Sequence, residues 1–490
     1  MSFNAPSRRV SVPVSAPAPL ERVPTVHPRV ALVAGGLGNY WPQFQDLLST
    51  LKASAARISE RLMALGADVF DAGFVSDAIA GSAAADNIRR ADCDLIVLFV
   101  STYMTSGQVI PIFKYGGAPV ILVCLQPGKS MNHETFGTGD WLAFAGFAGL
   151  PELCVGLERL NLPVRSISGY LEDPRAWAKI EKWVKAAGVV AGLRHARFGM
   201  MGHLYPGMFD IASNITSVES ALGGHVEIME FDDLRIRFEK VTDDETQGIV
   251  DLVEKTFEIH PKADRENIRF QSRVAVAISR LVEDFDLDTL AYFHFGHDGE
   301  IHQRLGAGFA IGATLLSSRG IPTVTEFELR AAIAMYVTDQ FGMGGTLTEG
   351  QSLDFDRGVT EIGHNDAADM AITARRPLLR SLDVYHGKAG GGVSVEVDIA
   401  EGPVTQFSIG ELANGKLRFI ASEGTIVPGP HITIGNTTSR VDFGCDPADW
   451  CDAWSMSGST HHWSIGVGHG AEEIRILAEL LDIEYRRVQP

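Results

Sequence analysis

The sequence predicts two doubly wound parallel-sheet α/β domains, flavodoxin- or Rossmann-like in winding, followed by an antiparallel β-barrel-like C-terminal domain. Three observations predict it. Through residues 28–347, short continuous apolar runs alternate with helical patterns, the mark of strands covered on both faces. From residue 348 onward the pattern turns to period-two alternation, as in half-buried strands. Asn414-Gly415 then separates two such runs and is a strong hairpin turn. The expected divisions are a flexible extension over 1–27, an N-terminal α/β domain over 28–195, a central α/β domain over 196–347, and a β-rich domain with a terminal helix over 348–490.

The elements follow in order. Val30–Gly36 is a buried strand ending in glycines. Phe44, Leu47, Leu48, Leu51, Ala55, Ile58 and Leu62 repeat at helical spacing, so a helix runs over Pro42–Leu65. Strands at Ala67–Gly73, Leu95–Val100 and Pro119–Gln126 alternate with helices over Ser82–Ala91 and near Val109–Tyr115. The turn Gly35-Gly36-Leu37-Gly38-Asn39-Tyr40 misses dinucleotide spacing, because Trp41 takes the last glycine position. Tyr40 and Trp41 instead suit contact with a small ligand or a neighbouring subunit at the sheet edge. In the central domain a strand at Val226–Glu230, helices over Asp243–Glu258 and Ile268–Asp286, and a strand at Leu290–Gly296 are expected. His294, His297 and His302 read as one strand and two loop histidines. Ile321–Thr325 is strand-like and Glu328–Tyr336 helical, so Glu326 sits where a strand hands over to a helix, the edge at which open α/β sheets bind ligands. In the last region, strands are expected at Val393–Ile399, on both sides of Asn414-Gly415 and at His431–Asn436, with a helix from Ala471 to Leu481.

Composition bounds the function. Of 490 residues, 45% are hydrophobic and 21% charged, the balance of a globular enzyme. The formal net charge of −19, from 42 basic and 61 acidic residues, and the lack of a basic stripe exclude a nucleic-acid partner. No apolar run reaches the roughly 18 residues of a membrane span, so no membrane partner is expected. The five cysteines, Cys93, Cys124, Cys154, Cys445 and Cys451, form no CxxC and suit a reducing cytoplasm. Ser7–Val12 has twin arginines, but Pro13, Pro17 and Pro19 interrupt any apolar export segment.

Chemistry concentrates between Val324 and Asp366. Glu326 and Glu349 lie near element boundaries, and His364 follows in a Gly-His-Asn-Asp turn. His461 and His462 arrive near the end of the chain. Two carboxylates with one or two imidazoles suit a divalent first-row cation, and Mn²⁺ best where substrate oxygens complete an octahedron.

These segments resemble the L-arabinose isomerase/L-fucose isomerase superfamily, closest to its arabinose isomerase branch. TEFELRAA is similar to the family segment GEGDxKTAA and places Glu326 on a metal-binding glutamate. TEGQSLDFDRG followed by GH is similar to MEDYTYHFEKG followed by GSH, with Glu349 and His364 on the next two ligands. STHHWSIGVGHGAEEIRILAELLDIE is similar, without a gap, to GGAHHTxFSxAxxxxxxxxFAEMxxIE, and places His462 on the fourth ligand. AGGLGNYWP parallels a family loop reading GSQxLYGP, with Tyr40 on its tyrosine and Leu37 in place of its glutamine. Thr138, in GTGDW, stands where the family has an active-site histidine.

The resemblance implies a metal-dependent aldose–ketose isomerase of a pentose, hexose or deoxyhexose, working through an enediolate. Glu326 and Glu349 would serve as ligands and as the acid/base pair, with the division of those two roles left open. His364 and His462 would anchor the metal. Tyr40, Trp41, Thr138 and His461 would contact the monosaccharide. A homo-oligomer, hexameric or otherwise trimer-based, is also implied. Two other classes compete. A sugar epimerase on the same scaffold would share the metal and the enediolate. A non-enzymatic sugar-binding protein would leave the four ligands unexplained.

Overall fold

The computed structural model describes residues 20–489 except 298, 366, 386–387 and 430–433, and only the backbone of 382–385 and 388–391. The chain divides into two compact units, residues 26–191 and residues 20–25 with 192–490.

The 26–191 unit is built on five strands: β1 (Arg29–Gly35), β2 (Asp68–Val75), β3 (Leu95–Val100), β4 (Val120–Gln126) and β5 (Ser166–Tyr170). They form one parallel sheet in the order β2-β1-β3-β4-β5, the flavodoxin-like doubly wound order. β3 reads Leu-Ile-Val-Leu-Phe-Val and is buried at every position, because helices cover both faces of a parallel sheet. The first helix starts at Leu47, later than the apolar repeat suggested, since a 3-10 turn over Gly38–Tyr40 and further turns occupy the chain before it.

The larger unit begins with a second parallel sheet. Its strands are β6 (Arg197–Gly202), β7 (His225–Met229), β9 (Thr289–Phe293) and β10 (Thr323–Val324), with β8 (Glu258–Ile259) standing apart. The order β7-β6-β9-β10 repeats the winding of the first sheet with one strand fewer. The helix Arg265–Asp284 packs Ile268, Val274, Ile278 and Leu281 into the core beside this sheet.

The remaining strands are β11 (Thr346–Asp354), β12 (Val359–Asn365), β13 (Leu378–Tyr385), β14 (Lys388–Glu396), β15 (Gly402–Glu411), β16 (Leu417–Ile426), β17 (Asn436–Asp442), β18 (Trp463–Val467) and β19 (Glu484–Arg487). β13, β14 and β8 make a small sheet. The other seven form a mixed sheet, β15-β18-β11-β12-β17-β16-β19, antiparallel except where β19 joins β16. The Asn414-Gly415 hairpin links β15 to β16, as its sequence required. Part of the strand expected at His431–Asn436 lies outside the described residues, and β17 begins at its last residue. The helix Pro447–Ser455 buries Pro447, Trp450 and Trp454 at helical spacing, and its ends are well specified. Asp446 accepts a hydrogen bond from the Ala448 N–H at 2.8 Å, and Pro447 opens the first turn. Its Trp450 stacks on Phe443 with centroids 3.9 Å apart and donates its indole N–H to Ser422 Oγ at 3.0 Å. Among the described residues no helix is long and apolar enough to cross a membrane, and all five cysteines are free thiols.

Residues 20–25, expected within the flexible extension, are tied down. The Val23 N–H donates to the Arg319 carbonyl at 2.8 Å. Arg22 donates to the Ser318 carbonyl and to Asp369, both at 2.9 Å, and also pairs with Asp339. The two carboxylates are buried, with side chains 8% and 1% exposed, and share this cation. Burial pushes the Asp339 carboxyl up to about 6; Arg22 opposes that rise and Asp369 adds to it. A carboxyl raised on folding contributes stability at low pH that is lost as pH climbs through its folded value. Arg22 therefore matters most where Asp339 must ionise. Arg22→Ala is expected to cost about 3 kcal/mol at pH 8 and clearly less at pH 5. Urea unfolding midpoints at the two pH values check this, and an equal loss at both would contradict it.

Candidate metal centre

The site starts at the C-terminal end of β10. Two residues after that strand, Glu326 and Phe327 take φ values of +63° and +66°, the left-handed region that non-glycine residues avoid at a cost of about 1–2 kcal/mol each. The Phe327 N–H donates to the Tyr292 carbonyl of β9 at 3.1 Å and holds this turn to the sheet. The turn keeps Glu326 only 5% exposed. Glu328 then caps the helix Leu329–Gln340, accepting the Ala331 N–H at 3.4 Å.

The mixed sheet supplies the other groups from three adjacent strands. Glu349 lies inside β11, not at an element boundary, and pairs across to Gly363 of β12. His364 is a strand residue of β12, not part of a turn, because β12 continues through Asn365 in register with β17. Gly363 is required for space: a Cβ there would lie 1.7 Å from the Thr437 carbonyl oxygen of β17. β18 pairs Trp463 with Thr348 of β11, so the antiparallel register sets His462 across from Glu349.

These residues converge. Ligand atoms of Glu349, His364 and His462 lie within 4.8 Å of one another, and so do those of Glu326, His461 and His462. Three imidazoles turn Nε2 toward Glu326: His462 at 3.5 Å, His364 at 3.9 Å and His461 at 3.9 Å. Each has an acceptor near its other nitrogen. His364 Nδ1 is 2.6 Å from the Asn365 carbonyl, His461 Nδ1 is 2.7 Å from Asp210, and His462 Nδ1 is 3.8 Å from Glu328. The two partners at hydrogen-bond distance orient the rings of His364 and His461 with Nε2 toward the site.

Electrostatics favour the same reading. Burial, aided by neighbouring His462, pushes the His364 imidazole down to about 3, so it is neutral and has a lone pair to offer. Burial raises the Glu349 carboxyl, against the pull of His461. Burial likewise lifts Glu328 to about 7, with Arg330 opposing. Asp210 behaves differently: burial alone would raise it, but hydrogen bonds from the His461 ring and backbone hold it below the usual carboxylate range. Oxygen and nitrogen donors gathered in a buried, acid-rich site fit a divalent first-row cation.

A cavity of about 460 Å³ adjoins the cluster, within the usual range for small-molecule sites. Glu349, His461 and Asp210 line it together with Trp450, Trp454 and Trp463. The tryptophans form an edge-and-face cluster, with Trp454 and Trp463 centroids 5.2 Å apart. Tyr40, Trp41 and Thr138 belong to the 26–191 unit, where Trp41 donates to Ser76 Oγ at 3.0 Å and Thr138 opens a short helix. His294 stacks on Phe231 with centroids 4.5 Å apart, and His302 lies in the helix Ile301–Gly306, not a loop, 2.7 Å from Asp232. Neither joins a metal-holding group among the described residues. Sequence reasoning passed over Asp210, Glu328 and Arg330. Glu328 and Arg330 had a signal in TEFELRAA, an acid and a base beside Glu326.

No family model matches the chain. It is 22% identical over 415 residues to L-arabinose isomerase 1 of Bacillus licheniformis, covering 81% of this chain and 80% of that one. It is 23% identical over 345 residues to L-arabinose isomerase of a Nocardioides species, with 66% of each chain covered. It is 19% identical over 399 residues to sulfoquinovose isomerase of Priestia aryabhattai, covering 81% and 86%. Over most of its length the chain is therefore similar to sugar isomerases of the arabinose isomerase kind. A periplasmic solute-binding protein of Actinobacillus succinogenes with bound D-allose aligns with 64% of this chain and 92% of its own at 11% identity, but the TM-score of 0.17 is too low to show a shared fold.

In the superfamily segment GEGDxKTAA, glycine stands where this chain has Phe327, at a φ of +66° that glycine adopts without strain. The turn around Glu326 therefore carries strain here, held by the packing on either side. Gly363 offers the sharper test, because it serves β12 without being a ligand. Gly363→Ala is expected to displace β12, costing about 1–3 kcal/mol of stability and weakening Mn²⁺ binding. Calorimetric titration of the metal-stripped variant checks this, and wild-type affinity there would contradict the account of the site.

Proposed function

We propose that the protein is a metal-dependent sugar isomerase that interconverts an aldose and its ketose. The observation that carries this reading is the convergence of Glu326, Glu349, His364 and His462, drawn from two sheets, beside a cavity that Glu349 also lines. The same four residues fall on ligand positions in the segments that resemble the superfamily. The pairing of β15 with both β18 and β16 supports reading the mixed sheet as barrel-like.

Isomerisation moves a proton from C2 of the aldose to C1, while the hydroxyl proton on O2 passes to O1 and the carbonyl shifts to C2. The carbon acid is weak, and negative charge develops on both oxygens. A divalent cation held by Glu326, Glu349, His364 and His462 would supply Lewis-acid stabilisation of that charge, with Mn²⁺ the best fit to the donor set. The protein provides the rest. Glu349 lines the cavity and its carboxyl is raised, so it suits the proton transfer between the two carbons. Glu326, nearly closed off and surrounded by three imidazoles, suits the anchoring role. Trp454 and Trp463 give the cavity apolar lining for the C–H side of a sugar, and Ser352 and Ser455 add hydroxyl-bearing residues to its wall.

The test is a panel of pentoses, hexoses and deoxyhexoses, run with chelator and with Mn²⁺ add-back, products being identified by NMR. Ketose formation that needs the cation and falls about 10²–10⁴-fold in Glu326→Gln and in Glu349→Gln is expected. Wild-type turnover by Glu326→Gln would sink the assignment, and an epimeric aldose as product would replace isomerisation with epimerisation.

A further inference from the structure

His461 differs from the other two histidines that face Glu326. Its side chain is 37% exposed, against 4% for His364 and 0% for His462, and it lines the cavity. A molecule entering the cavity meets His461 before either buried imidazole.

Its orientation is set from behind. Asp210 Oδ2 accepts both the His461 backbone N–H at 2.9 Å and the His461 ring at Nδ1, 2.7 Å away. An ionised carboxylate is only an acceptor, so the ring proton resides on Nδ1 and Nε2 keeps its lone pair. Asp210 itself sits on a single 3-10 turn, Phe209–Ile211, which has little rigidity of its own. Arg330 supplies it. This side chain is 2% exposed and donates to the Asp210 carbonyl, to the Ala212 carbonyl at 3.3 Å and to Ser213 Oγ at 3.1 Å. Arg330 lies on the helix that starts just after the Glu326 turn. One planar guanidinium thus ties the Asp210 loop to the frame that carries Glu326, and a forked donor does this where a lysine could not.

We propose that Asp210, braced by Arg330, is a positioning residue that fixes His461 Nε2 as the acceptor for a hydroxyl of the sugar, not as a cation ligand. This rests on the sugar-isomerase reading of the site. Of the three imidazoles facing Glu326, His461 alone combines the cavity wall with a carboxylate at hydrogen-bond distance behind the ring.

The test uses the full chain and reads sugar affinity directly, by quenching of the cavity tryptophans with L-arabinose. Asp210→Ala should weaken sugar binding about tenfold or more while leaving Mn²⁺ affinity, measured by calorimetry, as in wild type. Asp210→Asn, which keeps an acceptor oxygen, should restore most of the sugar affinity. Nitrogen-15 histidine NMR of the wild type should show His461 protonated at Nδ1, a readout that needs no variant to fold. Unchanged sugar affinity in Asp210→Ala would overturn the proposal. So would a parallel loss of Mn²⁺ affinity, which would make His461 a ligand, or a wild-type ring protonated at Nε2. A wild type that binds sugar and cation without forming ketose would instead sink the isomerase reading and leave this assignment standing.

Discussion

Glu326 is held away from water by a backbone turn that L-residues avoid, with three imidazole nitrogens within 3.9 Å of its two oxygens. Burying a carboxylate is unfavourable unless charge and hydrogen bonds compensate it. Burial pushes His364 strongly toward the neutral form, so it supplies no positive charge. Glu328 and Glu349 add two more carboxyls to the site, and burial raises both. A divalent cation resolves all of these at once, because it neutralises the acids and uses the imidazole lone pairs. The cluster has the character of a binding site prepared for a cation, with its strain and desolvation offset when the cation is present.

The fold serves this constraint through two different sheets. The parallel sheet brings Glu326 to its C-terminal edge on β10, where loops leave the strands and carboxylates are easily aimed. The mixed sheet contributes neighbouring strands, so Glu349 and His364 are fixed by hydrogen-bonded register, and His462 immediately precedes β18. Rigid elements of this kind hold a constellation more tightly than loops do. The glycine at 363 is part of the same arrangement, since its missing side chain lets β12 close on β17 beside the histidine. Behind the imidazoles, Asp210 and the Asn365 carbonyl each accept at an Nδ1, and Glu328 lies 3.8 Å from the Nδ1 of His462.

Much of this was legible in the sequence. Continuous apolar runs such as Leu95–Val100 announced parallel strands, and Asn414-Gly415 announced its hairpin, because both signals are local. The four groups Glu326, Glu349, His364 and His462 were legible as a set through three motif segments; the structure gathers Glu349, His364 and His462 in one cluster and Glu326, His461 and His462 in another. The conformations of two of them were not. Glu349 and His364 lie among glycines, Gly350 and Gly363, which read as turns; both glycines sit in strands, and at Gly363 β12 must approach β17 closely. Asp210 was invisible for a different reason. It lies in a loop crowded with Gly, Met and Pro, and its partners His461 and Arg330 are far away in sequence, so no spacing reveals the contact.

The central claim is that one divalent cation is held by Glu326, Glu349, His364 and His462. Crystals grown from metal-stripped protein and soaked in Mn²⁺ test it most directly, by anomalous diffraction at the manganese edge. The account predicts a single strong anomalous peak within coordination distance of those four side chains. A peak elsewhere, or none at a Mn²⁺ concentration that supports turnover, would contradict it.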